Sequence, residues 1–255
     1  MQIYVCIKHV PDTAANIRPL GKMEFDETVK FIANPYDEYA LEEAIRIREK
    51  NTGVTLAAVT VGKEAAVSTL RTALAVGADR AIHILTKTYF TDAVETANLL
   101  HKAISAEGFP DLILVGRQSV DTEGMQVPYR LGTLFDIPVT VNVVSLCIAG
   151  EIVTVEREIE GDVREVIEMR MPCIIGATKG LNHPRSPTLP DMMKAKKKEV
   201  LTIPSANLEI PVSDASMPLL ELQAVPDRTR GRMLEGSPEG MVRELLNILR
   251  ENKTL

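Results

Sequence analysis

Tryptophan is absent from this chain of 255 residues, and its aromatic complement is five tyrosines and five phenylalanines. Proteins that hold single-stranded nucleic acid stack the bases on aromatic side chains, so that mode of recognition has little support here. Cysteine is equally sparse. Cys6, Cys147 and Cys173 lie in apolar, strand-like runs with no Cys-x-x-Cys spacing, which argues against a disulfide framework or metal site and for small buried hydrophobes. His9, His83, His101 and His183 are scattered, with no His-x-x-x-His or His-Glu spacing, so no metal centre is expected. No apolar run reaches the roughly 18 residues of a membrane span. The 29 basic and 35 acidic residues leave a net charge of -6, which argues against a general nucleic-acid binder while leaving room for local basic patches. The N-terminal residues carry neither a charged leader nor a small-residue cleavage site; they read as a first strand, and the expectation is a cytoplasmic protein.

What the chain does have is alternation. Apolar runs at 3–8, 54–61, 80–85 and 111–115 are separated by helical periodicity at 35–48, 64–75 and 91–105. Near-continuous apolar strands joined by helices of this length predict an α/β fold with a doubly wound, mainly parallel sheet covered on both faces. Asn34 is a natural N-cap, Pro35 suits the first helical position, and Gly53 and Gly77 are stop signals. Residues 9–13 read as a loop and 23–32 as a short hairpin or irregular cover.

In such a sheet, ligands sit at the C-terminal ends of the strands beside helix N-termini. The loops there are 8–16, 34–37, 61–63 and 116–126. In the last, Gly116 lets backbone approach a ligand, Ser119 and Thr122 offer hydroxyls, and a helix beginning near Gly124 would aim N–H groups at an anion. Neither Gly-x-Gly-x-x-Gly nor a P-loop pattern is present. On chemistry alone the loop is a phosphate-site candidate, with an ordinary strand-to-helix turn as its rival.

The second half is β-rich: 139–148, 151–157, 163–171 and 173–178 read as a hairpin-like extension whose last strand returns to the sheet. Glu156, Arg157 and Glu158 face Arg164 and Glu165 as candidate cross-strand ion pairs. Pro184, Pro187 and Pro190 then stiffen a loop. A short helix follows, opened by Thr188 or Pro190, with Asp191 at its positive end and Lys194, Lys196, Lys197 and Lys198 crowding its negative end. Leu189 stands exposed at the tip, so the segment is either a presented docking loop or a linker. Residues 199–235, with Pro204, Pro211, Pro218 and Pro226, read as an arm too apolar to be merely disordered, and 239–250 as a terminal amphipathic helix. The expected organisation is an α/β domain over 1–181 with its β extension at about 139–172, a docking loop or linker over 182–198 and an arm plus helix over 199–255.

Several segments together resemble the β subunits of electron transfer flavoproteins, over essentially the whole chain. They are Val5-Cys6-Ile7-Lys8-His9-Val10-Pro11-Asp12, Asn34-Pro35-Tyr36-Asp37-Glu38, Arg71-Thr72-Ala73-Leu74-Ala75 with Gly77-Ala78-Asp79-Arg80, and Gly116-Arg117-Gln118. Most specific is the series running from Val155-Glu156-Arg157-Glu158 through Pro172 to Asn182-x-Pro184-Arg185 and Leu189-Pro190-x-Met192-Met193-Lys194-Ala195-Lys196-Lys197-Lys198.

The resemblance implies a Rossmann-like, adenine-nucleotide-hydrolase-like fold and a heterodimer with an α subunit that holds FAD on a mobile domain, with 1–181 binding a nucleotide, 182–198 recognising a partner and 199–255 packing on the α subunit. It implies an electron carrier subunit rather than an enzyme, passing electrons from acyl-CoA dehydrogenases to an electron transfer flavoprotein-quinone oxidoreductase or similar acceptor. A second nucleotide, AMP, would bind in the β subunit at Cys6, Asn34, Pro35, Tyr36, Asp37, Val61, Val115, Gly116, Arg117, Gln118, Ser119, Val120, Asp121, Thr122, Glu123, Gly124, Met125, Gln126 and Val127. In electron-bifurcating relatives a second FAD takes that pocket. Here Asp121-Thr122-Glu123 replaces the common Asp-x-Asp, and Thr122 stands where bifurcating relatives often carry Gly, which favours AMP. The same resemblance implies partner contacts at Pro187, Leu189, Pro190, Met193, Lys194, Lys197 and Glu165. A ligase-like nucleotide enzyme is the alternative of another class, but no Ser-Gly-Gly-x-Asp-Ser or His-x-Gly-His motif is present.

Overall fold

The structure, a computed structural model, describes residues 1–161, 163–210, 217, 219–224 and 231–252. In chain order its elements are β1 (Gln2–Cys6), β2 (His9–Pro11), β3 (Phe31–Ala33), α1 (Pro35–Lys50), β4 (Thr55–Gly62), α2 (Val67–Val76), β5 (Arg80–Leu85), α3 (Ala93–Glu107), β6 (Leu112–Gly116) and α4 (Val127–Phe135). They continue with β7 (Val139–Ala149), β8 (Ile152–Glu158), β9 (Arg164–Arg170), β10 (Cys173–Ala177), α5 (Leu189–Ala195), β11 (Val200–Pro204) and α6 (Pro238–Glu251). Two compact units result, residues 1–222 and 223–255. The first contains the sheet.

Nine strands form that sheet in the order β11-β5-β4-β1-β6-β10-β7-β8-β9. From β11 to β7 every pairing is parallel, and β8 and β9 add antiparallel strands at one edge. The alternation of side chains along each strand divides the core into two layers. Ile3, Val5, Leu56, Ala58, Leu112 and Leu114 pack under α1 and α2, whereas Tyr4, Cys6, Ala57, Val59, Ile113 and Val115 pack under α3 and α4. Both faces are covered, as continuous apolar strands require.

The chain runs outward from β1 to β4 and β5 and then returns to place β6 on the other side of β1. The crevice between the ends of β1 and β6 is therefore the switch point of the sheet, where such folds take ligands.

Several expectations needed correction. Residues 9–11, read as loop, pair antiparallel with β3. The segment read as an arm packing on a partner begins with β11, which completes the sheet beside β5, while Ile203, Leu208 and Ile210 pack against the layer under α3 and α4. Pro211, Pro218 and Pro226 of that arm, and Asp162 of the β8–β9 turn, lie outside the described residues. Cys147 is exposed rather than buried. Alternation explains it: Leu146 and Ile148 on β7 turn toward the core and Cys147 turns away. In the second unit, Ser237 caps α6 by accepting from the Gly240 N–H, and no residue of that helix is buried. Among the described residues no helix is long and apolar enough to cross a membrane.

Candidate functional site

A cleft of about 210 Å³ opens at the switch point, more than ten times the ~10–15 Å³ that one water needs. The ends of β1, β4 and β6 supply its floor through Cys6, Ile7, Lys8, Val59, Thr60, Val61, Val115 and Gly116. Asn34 and Asp37 at the start of α1, and the loop from Gln118 to Pro128, supply its sides.

Asp37 organises this end of the sheet. One carboxylate oxygen accepts the Lys8 N–H at 2.7 Å and the other the Gly116 N–H at 2.9 Å, so a single side chain ties the tips of β1 and β6 to the first turn of α1. Burial pushes its carboxyl up to about 7, against the pull of those two N–H groups, of Asn34 and of the Lys8 charge. Gly116 is required by the same closeness. A Cβ there would stand 2.3 Å from Asp37 Oδ1 and 2.7 Å from Tyr36 Cβ.

Asn34, expected to cap α1 with its side chain, does something else. Its Nδ2 donates to Gln118 O at 2.9 Å and its Oδ1 accepts from Val120 N at 3.1 Å, so it pins the 116–126 loop instead of the helix. Lys8 Nζ lies 2.7 Å from Asp121 Oδ2, which also accepts the Tyr89 hydroxyl at 2.7 Å. Burial works to raise the Asp121 carboxyl, but the Lys8 charge and the bonds from Lys8, Ser119 and Tyr89 outweigh it and hold it below the usual range. Ser119 Oγ and Thr122 Oγ1 are 2.8 Å apart, and Glu123 and Met125 adopt left-handed φ of 49° and 52° to turn the chain into α4. That helix starts at Val127, three residues later than the sequence suggested.

Of the nucleotide-site residues named from the sequence, Cys6, Asn34, Asp37, Val61, Val115, Gly116, Gln118, Ser119, Thr122, Gly124, Met125, Gln126 and Val127 line the cleft. Pro35, Tyr36, Arg117, Val120, Asp121 and Glu123 do not. Arg117 instead lays its guanidinium over the Tyr36 ring at 4.9 Å. Burial, and secondarily the Asp37 charge, drives the Cys6 thiol well above its usual value.

Sequence reasoning missed a whole wall. Tyr89, Thr91, Thr96 and Leu100, with Glu27 and Phe31 from the cover segment, also line the cleft. Phe25, Phe31, Tyr89 and Phe90 form one aromatic cluster, with ring centroids 4.9 to 6.3 Å apart, and His9 stacks on Phe31 at 4.7 Å. A signal was available: residues 86–91 follow the C-terminal end of β5, the position that selected the other loops.

The segment expected to recognise a partner lies apart, for no residue from 188 to 198 lines the cleft. Thr188 and Asp191 form a capping box at the start of α5. Leu189 is 77% exposed and Met193 70%. Pro190, Lys194 and Lys197 are exposed too, and Pro187 is partly buried. Glu165 faces Arg157 across the β8–β9 pair at 2.7 Å, and Arg164 lies 3.4 Å from Glu156, the cross-strand ion pairs expected from their charges. Of the lysines expected at the end of α5, Lys198 is diverted: its ammonium donates to Leu74 O and Ala78 O at the end of α2.

Fold and cleft together define a doubly wound α/β protein of the class whose ligands bind at the switch point of the sheet. Residues 22–208 match the model of the electron transfer flavoprotein domain. The chain is 39% identical over 255 residues to electron transfer flavoprotein subunit beta of Bacillus subtilis (strain 168), with 98% of each chain covered. It is 36% identical over 247 residues to that of Dictyostelium discoideum, covering 96% of this chain and 97% of the relative. With that of Bos taurus the identity is 32% over 253 residues, covering 97% and 98%. The chain belongs to the electron transfer flavoprotein family.

Proposed function

We propose that the chain is the β subunit of a heterodimeric electron carrier that takes electrons from acyl-CoA dehydrogenases and delivers them to a quinone-linked oxidoreductase or similar acceptor. In this reading the redox chemistry is supplied by FAD held mainly by the α subunit, and the cleft described above takes AMP as a structural ligand. The observation that carries the reading is that the switch-point cleft and the exposed Leu189 stand at separate places in the first unit. The switch-point cleft is built for a small ligand, while Leu189 is held outward on a capped helix that contributes nothing to that cleft.

The cleft residues fit such a nucleotide. Val59, Val61, Leu100, Val115 and Val127 offer apolar wall for a base, and the buried Thr60 hydroxyl beside them has no hydrogen-bond partner. The lining lysines are already paired, Lys8 with Asp121 and Lys63 with Glu27. A phosphate therefore relies on the Ser119 and Thr122 hydroxyls and on the N-terminus of α4 more than on a free cation. On the docking side, burying one leucine contributes about 1.5 to 3 kcal/mol before ordering costs, a magnitude suited to a transient complex.

The experiment is nucleotide release. Heterodimer co-expressed with its α subunit and denatured is expected to release one FAD and one AMP; two FAD and no AMP would replace the simple carrier with a bifurcating one.

A further inference from the structure

The segment Arg71-Thr72-Ala73-Leu74-Ala75, followed by Gly77-Ala78-Asp79, contributes nothing to the cleft. It lies instead beneath the docking helix. Helix α5 has seven residues and buries a single side chain, Ala195. Two turns carry too few internal hydrogen bonds to hold themselves, and one methyl group offers little apolar area to anchor them. What orients the helix is polar and reciprocal. Arg71 Nη1, on α2, donates to Ala195 O at 2.9 Å and to Lys198 O at 2.7 Å, serving the carbonyls that end α5 and its following turn. Lys198 Nζ returns the contact, donating to Leu74 O at 3.0 Å and Ala78 O at 2.6 Å where α2 ends. Each helix thus has its negative end capped by a cation from the other or from the turn that follows it.

We propose that Arg71 and Lys198 are positioning residues for partner docking, fixing the direction in which α5 presents Leu189 without touching the partner themselves. The inference rests on the docking reading of Leu189. Its consequence is kinetic and specific. With the clamp open, α5 samples orientations of which few suit the partner, so the apparent affinity falls by the fraction that remains competent. Events after docking do not involve the clamp.

The test uses the heterodimer with its α subunit, assayed for electron uptake from an acyl-CoA dehydrogenase. Arg71→Met keeps the apolar stem and removes the guanidinium; Lys198→Met does the same from the other side. Each is expected to raise the KM for the dehydrogenase by about three- to tenfold, with kcat and nucleotide content held and amide exchange over 189–198 accelerated. Arg71→Lys, which restores a donor, is expected to recover part of the KM. Leu189→Ala serves as the reference. Unchanged KM in both clamp variants beside a raised KM in Leu189→Ala overturns the positioning role alone. Unchanged KM in all three overturns the docking reading and the positioning role with it. Amide exchange over 189–198 that matches the unsubstituted protein also overturns the clamp.

Discussion

Replacing Gly116 by alanine tests the close approach on which the cleft is built. The added Cβ would meet Asp37 Oδ1 at 2.3 Å, Tyr36 Cβ at 2.7 Å and the Asp37 backbone nitrogen at 2.9 Å, so relief requires the start of α1 and the tip of β6 to part. A separation of roughly 1 Å restores ordinary contact, but it carries the 2.9 Å bond from Gly116 N to Asp37 Oδ1 beyond hydrogen-bonding reach. Overpacking costs about 1 to 3 kcal/mol, and losing a bond to a carboxylate about 1.5 to 3 kcal/mol. The gain from restricting the unfolded chain offsets only about 0.4 to 1 kcal/mol. The expected net loss is about 1.5 to 5.6 kcal/mol, a large part of the ~5–15 kcal/mol that holds a typical domain folded. Denaturant unfolding followed by circular dichroism measures it. Gly124→Ala is the matched control, because a Cβ there meets nothing within 4 Å and its φ is not left-handed. A Gly116→Ala loss no larger than that of Gly124→Ala would refute the packing argument.

Two further outcomes concern α1, the helix that links the cleft and the proline-rich loop. Asp37 has a folded-state pKa raised from 3.8 to about 7, so its contribution is fully present below the unfolded value and is lost as pH rises through the folded one. Between pH 4 and 7 the protein should lose stability at about 1.4 kcal/mol per pH unit from this group. Asp37→Asn removes the titration and leaves one N–H short of an acceptor, so its deficit should shrink as pH rises; curves that stay parallel from pH 4 to 7 would contradict the assignment. Arg185 reaches Glu42 at 2.9 Å and Glu49 at 2.6 Å, holding the proline-rich loop on α1. Because Arg46 remains 3.3 Å from Glu42, Arg185→Ala should cost only about 1 to 3 kcal/mol but should speed proteolytic cutting between 182 and 188. An unchanged cutting rate would detach that loop from the ion pairs.

The strands and helices of the first unit were legible because a two-residue or 3.6-residue apolar period is a local property. So was the choice of the 116–126 loop, since a strand running into Gly116 and then hydroxyl-bearing residues is written contiguously. Local reading failed where one residue serves two distant segments. Asn34 had every feature of an N-cap, yet its amide spans 84 residues to Gln118. Lys198 looked like a cap for its own helix and serves another 124 residues away, at Leu74. The apolar residues 200–204 show no helical period, and only the open edge of β5 makes them a strand.

By itself, then, the sequence determined most of the element types, the parallel sheet and the strand ends at which the cleft opens, because burial patterns and turn chemistry are set by near neighbours. Tertiary structure alone decided which partners the residues there take. The aromatic wall around Tyr89 and the bridge that Asp37 makes between β1 and β6 exist only once the chain has crossed the sheet and brought separate strand ends to one place, where buried polar groups must be satisfied by whatever the crossing supplies.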